Sequence, residues 1–100
     1  MSSYTLTNAA RADLKSIAAY TQKRWGRTQR LRYAKQFDEA FQMLARSPEA
    51  GPRCDAVKPG YRKLANGSHL IFYRVNSDIE IEIIRILHKR MDARGQFEAT

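Results

Sequence analysis

The hydrophobic period of this chain changes once, and that change constrains the fold more than any single residue does. Before Pro48 the apolar and small residues recur at helical spacing, and after Pro59 they alternate. Tyr4-Thr5-Leu6 is a short β-prone piece. Thr7 can cap a helix starting at Asn8, because its hydroxyl accepts from a free first-turn amide. Ala10, Leu14, Ile17, Ala18, Thr21 and Trp25 form the stripe of that helix, and Gly26 supplies the left-handed residue that closes it. Thr28 is placed to cap a second helix, with Ala34, Phe37, Phe41 and Leu44 as its stripe and Tyr33 alongside. It stops near Ser47, since Pro48 disfavours helical geometry in the residue before it. So short a link predicts an antiparallel helical hairpin.

Pro48 to Pro59 is irregular, either a surface crossover or a functional loop. Tyr61–Ala65 and His69–Val75 then predict two strands joined at Asn66-Gly67, a pair that tolerates positive φ. Asn76-Ser77-Asp78 predicts a second turn, and Ile79–His88 the third strand of the meander. Ile79, Ile81 and Ile83 alternate with Glu80, Glu82 and Ile84, whereas the run Ile83–Leu87 is apolar except for Arg85. Such a run predicts a central strand covered on both faces, and Arg85 within it needs a rim or a partner. After His88 the chain turns basic and predicts a weakly structured tail containing Gly95. The fold class is α+β, ordered β-α-α-β-β-β, with the helical hairpin on one face of a small, mainly antiparallel sheet. The other face has only the tail to cover it and is expected to be open and partly basic. The length of 100 residues suits one domain, with a core over about 4–92 and a basic tail over 89–100.

Eighteen cations, twelve of them Arg, against ten acids give +8, split as +5 over residues 1–50 and +3 over residues 51–100. The folded body therefore carries the excess, which attracts acidic partners, nucleic acid or protein. No apolar run approaches the roughly 20 residues that span a bilayer. Met1-Ser2-Ser3-Tyr4 has no basic and apolar leader pattern, so a cytoplasmic protein is expected. Cys54 has no disulfide partner, and with His69 and His88 it makes no spaced metal motif, so neither metal nor cofactor is expected. Tyr61, Phe72 and Tyr73 suit core or hairpin pairs at least as well as base stacking.

Three segments, YTLTNAARADLKSIAAYTQKRWG, GYRKLANGSHLIFYR and IEIIRILHKRMD, lie in this order across residues 4–92. Together they resemble the ParE branch of the RelE/ParE superfamily, the toxins of type II toxin–antitoxin modules. The resemblance implies the same β-α-α-β-β-β order and a tightly bound ParD-type antitoxin. It also implies DNA gyrase as the target, poisoned so that replication stops and cleaved DNA remains. The RelE branch shares the scaffold but cuts ribosome-bound mRNA. That reaction needs a base, phosphate-holding cations and an acid. Arg62, Arg74 and Arg85 could hold phosphate here if strand register gathers them, with His69, Tyr73 or His88 moving protons. The resemblance puts His88 in a signature of gyrase-directed members. Between Val75 and Phe97 there is no aromatic, whereas many ribonuclease members carry a tyrosine in their C-terminal segment.

A non-catalytic toxin is therefore expected, binding gyrase through Arg62, Arg74, Arg85, His88, Lys89, Arg90, Met91 and Arg94. Its antitoxin is expected to fold an acidic C-terminal helix onto the helical hairpin, against the exposed members of the set Tyr20, Trp25, Tyr33 and Phe37. The resulting hetero-oligomer would leave the toxin little or no direct DNA contact. A RelE-like ribosome-dependent endoribonuclease and a non-catalytic nucleic-acid-binding module are the alternatives.

Overall fold

Helical periodicity in the first half of the chain becomes two helices that share one glycine. A computed structural model describes residues 4–76, 80–91 and 93–98. Strand β1 (Tyr4–Leu6) leads into α1 (Asn8–Trp25) and α2 (Arg27–Arg46). Thr7 caps α1 as expected, its hydroxyl accepting from the Ala10 amide at 3.0 Å. Gly26, at φ +94°, donates its N–H to the Gln22 carbonyl at 2.9 Å and accepts from the Arg30 amide at 3.1 Å. One residue thus ends α1 and begins α2. Thr28 lies inside the first turn of α2 instead of capping it, because Gly26 has already reversed the chain.

A single 3₁₀ turn (Pro48–Ala50) follows, then β2 (Arg62–Asn66), β3 (His69–Val75), β4 (Ile81–His88) and α3 (Ala93–Glu98). The sheet order is β1-β4-β3-β2, with β1 parallel to β4 and the other pairs antiparallel. In the β2–β3 hairpin Asn66 pairs with His69, so the loop is Gly67-Ser68, one residue later than Asn66-Gly67. Gly67 takes the positive φ of +61°. Ser77, Asp78 and Ile79, expected in the second turn and at the head of the third strand, lie outside the described residues.

Strand β4 is central, as its apolar run predicts, and a bulge explains how that run is buried on both sides. Phe72 faces Arg85 and Tyr73 faces Ile83, so Ile84 is an extra residue on β4. Ile81, Ile83 and Ile86 join Phe37, Phe41, Leu44, Ile71 and Tyr73 in the core beneath α1 and α2. Ile84 and Leu87 turn the other way, toward Cys54, Tyr61, Phe72 and Phe97. That second cluster corrects two expectations, an open far face and a weakly structured tail. The tail folds as α3, and its Phe97 ring sits 5.4 Å from Tyr61 and 5.3 Å from Phe72. The Cys54–Tyr61 segment covers the rest of the patch. The reason is apolar area: Phe72, Ile84 and Leu87 would otherwise be left in water, at about 25 cal/mol per Å².

The irregular segment is tied down by Tyr73. Its buried hydroxyl donates to the Pro48 carbonyl at 2.7 Å and accepts from the Gly51 amide at 2.9 Å. A Cβ on Gly51 would lie 2.5 Å from the Lys63 carbonyl oxygen and 2.7 Å from the Tyr73 hydroxyl, so no side chain fits there. Tyr73→Phe strands two partly buried backbone groups and is expected to lower stability by about 1–3 kcal/mol in urea unfolding. Gly51→Ala is expected to cost more, because the backbone contact it violates has no rotamer to relieve it.

Candidate partner-binding site

The helical hairpin has two flanks that differ in chemistry. On the flank beside β1, α1 and α2 enclose a groove of about 500 Å³ lined by Leu6, Leu14, Ile17, Ala18, Leu31 and Ala34. Arg11, Lys15 and Arg30 contribute to the same wall, with Asp38 the one acid among its lining residues. Leu31 is 57% exposed there, although nothing about solvent favours a leucine on an exposed helical turn. On the opposite flank a cleft of about 630 Å³ lies between the hairpin, the β2–β3 turn and the end of β4. Tyr20, Trp25 and Tyr33 line it together with Gln29, Gln36, Ser68, His69 and His88.

The expected antitoxin-facing aromatics divide between these environments. Tyr20 and Trp25 are 65% and 66% exposed, while Phe37 is a core residue at 2%. Tyr33 is half-buried, its hydroxyl 2.6 Å from His69 Nδ1, and burial raises its pKa. Leu14, Leu31 and Ala34 were not singled out from the sequence as contact residues. The signal for Leu31 was its place one helical turn before Ala34 on the same stripe.

The cationic candidates do not converge. Arg62 faces Tyr73, Arg74 faces Glu82 and Arg85 faces Phe72 in the register. Arg62 donates to the Gly51 carbonyl at 2.8 Å and so fastens the irregular segment. Arg74 pairs with Glu82 at 2.6 Å. Arg85 is mostly buried and makes a two-pronged pair with Asp13 of α1, at 2.7 and 3.0 Å, so the partner its position demanded is a carboxylate. Asp13 also accepts from the Ile86 amide at 2.9 Å. Lys89, Arg90 and Met91 are exposed beyond β4. The side chain of Arg94 lies outside the described residues.

Register does bring the two histidines together. His69 faces His88 across β3 and β4, their rings 5.4 Å apart and edge to face. His88 Nδ1 accepts the Arg90 amide at 3.1 Å, which assigns the proton of its neutral form to Nε2. Burial, with a smaller contribution from His88, holds the His69 pKa below its ordinary value. Arg74, at the far end of β3, is remote from this pair along the strand. Among the described residues no group of three or more His, Cys, Asp or Glu could hold a metal ion. No described helix is long and apolar enough to cross a membrane.

Comparison with known proteins gives a consistent family. The family described as "ParE toxin of type II toxin-antitoxin system, parDE" matches residues 4–93. The chain is 44% identical over 91 residues to Toxin ParE1 of Mycobacterium tuberculosis, covering 91% of this chain and 93% of that protein. It is 42% identical over 95 residues to Toxin ParE1 of Caulobacter vibrioides, covering 95% and 97%. A solved structure of the chromosomal ParDE toxin–antitoxin system of P. aeruginosa superposes with a TM-score of 0.75 at 27% identity, over 88% of this chain and 96% of that one.

Two outcomes follow from this geometry. Asp13→Ala leaves Arg85 and the Ile86 amide without their acceptor and is expected to cost about 2–4 kcal/mol in chemical unfolding. His69 is less basic in the folded chain than the ordinary 6.5. The stability it supports is therefore whole above pH 6.5 and falls as pH drops from there toward the lowered native pKa. Melting curves at pH 7.5 and 5.5 are expected to show that loss, and His69→Gln to diminish it.

Proposed function

This chain belongs to the ParE family of type II toxin–antitoxin toxins, and from that premise we propose that it inhibits DNA gyrase without bond chemistry of its own. It acts as one domain in the bacterial cytoplasm and is neutralised by a cognate ParD-type antitoxin. The observation that carries the antitoxin half is the apolar groove between α1 and α2 with cations on its wall. An acidic amphipathic helix complements it, apolar face on Leu14, Ile17 and Leu31 and carboxylates toward Arg11, Lys15 and Arg30. Tyr20 and Trp25, expected from the sequence to face the antitoxin, line the opposite flank and stand outside this groove. The solved relative described as a ParDE system supports a partner of this kind.

On the target side, Lys89, Arg90 and Met91 are exposed members of the expected set, as is the ion-paired Arg74, with Arg94 following them in α3. Rim charges of this sort govern encounter, and Met91, 43% exposed, is the apolar anchor that lengthens the complex. Arg62, Arg74 and Arg85 enter less directly, since each holds a partner within the fold. Their separate engagement also supports the non-catalytic reading, because a ribonuclease needs several free cations around one phosphate.

The test is gyrase supercoiling and cleavage with purified toxin, with and without the antitoxin. Accumulation of cleaved DNA is expected, weakened by the double variant Lys89→Glu, Arg90→Glu and reversed by antitoxin. Codon-dependent cutting of mRNA on ribosomes with gyrase untouched overturns the proposal. Leu31→Glu is expected to weaken antitoxin binding by about tenfold or more, read by titration calorimetry, with little change in melting temperature.

A further inference from the structure

Residues 14–37 hold seven cations, Lys15, Lys23, Arg24, Arg27, Arg30, Arg32 and Lys35, and not one Asp or Glu. Among the described residues, Lys35 alone of these seven has an ion-pair partner, Glu39 at 4.0 Å. Five of the seven, Lys23, Arg24, Arg27, Arg30 and Arg32, flank the Gly26 turn, so that end of the helical hairpin is cationic while the cleft lining itself carries no Lys or Arg. The same end presents two large aromatic rings to solvent, Tyr20 and Trp25, and the Arg24 guanidinium lies 5.5 Å from the Trp25 ring centroid. Both rings open onto the cleft above His69 and His88, where the side-chain amides of Gln29 and Gln36 supply donors and acceptors. Lys89 and Arg90 follow His88 at the end of β4, and the Lys89 amide donates to the Ser68 carbonyl at 3.0 Å.

From this combination we infer that the cleft beneath the hairpin binds single-stranded nucleic acid. Bases stack on Tyr20 and Trp25, the amides of Gln29 and Gln36 meet base edges, and Arg24, beside the Trp25 ring, holds phosphate at the rim. A double helix keeps its base faces covered and offers such rings nothing to stack on, so an unpaired strand is the form that fits. An acidic peptide would match the charge. It would leave the two flat rings and the polar amides without complementary surface, and the apolar groove on the other flank suits a peptide helix better. At about 630 Å³ the cleft is within the range of sites that enclose a small ligand. The inference revises the expectation of little direct nucleic-acid contact, and it stands apart from the gyrase proposal because it is scored on the toxin alone.

Trp25 is the one tryptophan in the sequence and reports on the cleft directly. Oligothymidylate, oligouridylate and a self-complementary DNA duplex of equal length are titrated into the full-length toxin while its fluorescence is followed. Saturable quenching by the single strands is expected, weaker for the duplex, with an affinity that falls steeply as salt rises. The relative affinity of the two single strands tells DNA from RNA as the natural ligand. The double variant Tyr20→Ala, Arg24→Gln alters only exposed side chains and retains the Trp25 signal. It is expected to weaken single-strand binding by about tenfold or more. Binding that survives in that variant, quenching by oligoglutamate as strong as by the single strands, or no quenching at low salt overturns the inference. Gyrase inhibition persisting in such a case leaves the functional proposal standing, and the converse holds as well.

Discussion

Strand β1 stops after three residues, and the central strand beside it does not. From Ile84 onward β4 has no neighbour on that edge among the described strands, so its backbone groups need other partners. The start of α1 supplies them. The Thr7 hydroxyl donates to the Ile84 carbonyl at 2.7 Å, and Asp13 accepts the Ile86 amide while gripping Arg85. Side chains thus continue a ladder the backbone has abandoned. The same contacts fix the angle at which α1 leaves the sheet, and with it the position of the hairpin that carries both recesses. An arginine inside an apolar run, which reads as a defect, is what locks helix to sheet.

The elements were legible in the sequence because each has a local cause: a threonine cap, a glycine with positive φ, a proline stop, a change of period. What was not legible depended on pairing. The bulge at Ile84 decides which face each of Ile83 to Leu87 serves, and alternation alone cannot show an extra residue. The Gly67-Ser68 loop is displaced by one residue for the same reason. The folding of residues 93–98 as a helix follows from one aromatic, Phe97, finding an uncovered patch made by residues far away in sequence. Nothing local to Gly95 or Gln96 announces it.

The site was half legible. Among the hairpin aromatics, Phe37 fits its place on the core stripe and not the antitoxin-facing set, whereas Trp25, expected on the apolar stripe of α1, is exposed. The arginines of the strands were misleading, since a charge in a list of residues carries no sign of the carbonyl or carboxylate it will meet. The net charge is +5 over residues 1–50 and +3 over residues 51–100, yet residues 14–37 hold seven cations and no acid, a run plain in the sequence. The histidine pair needed the antiparallel register of β3 and β4 to become visible at all.

The parallel pairing of β1 with β4 joins Tyr4 to Ile81 and Leu6 to Ile83, a span of most of the polypeptide. Closing so long a loop is entropically slow to nucleate, though lengthening it further would add little cost. During translation the first strand emerges early and waits, since its partner residues follow only after both long helices and two further strands. A chain cut short before β4 therefore lacks the central strand of its sheet, and its first strand is left with nothing to pair with.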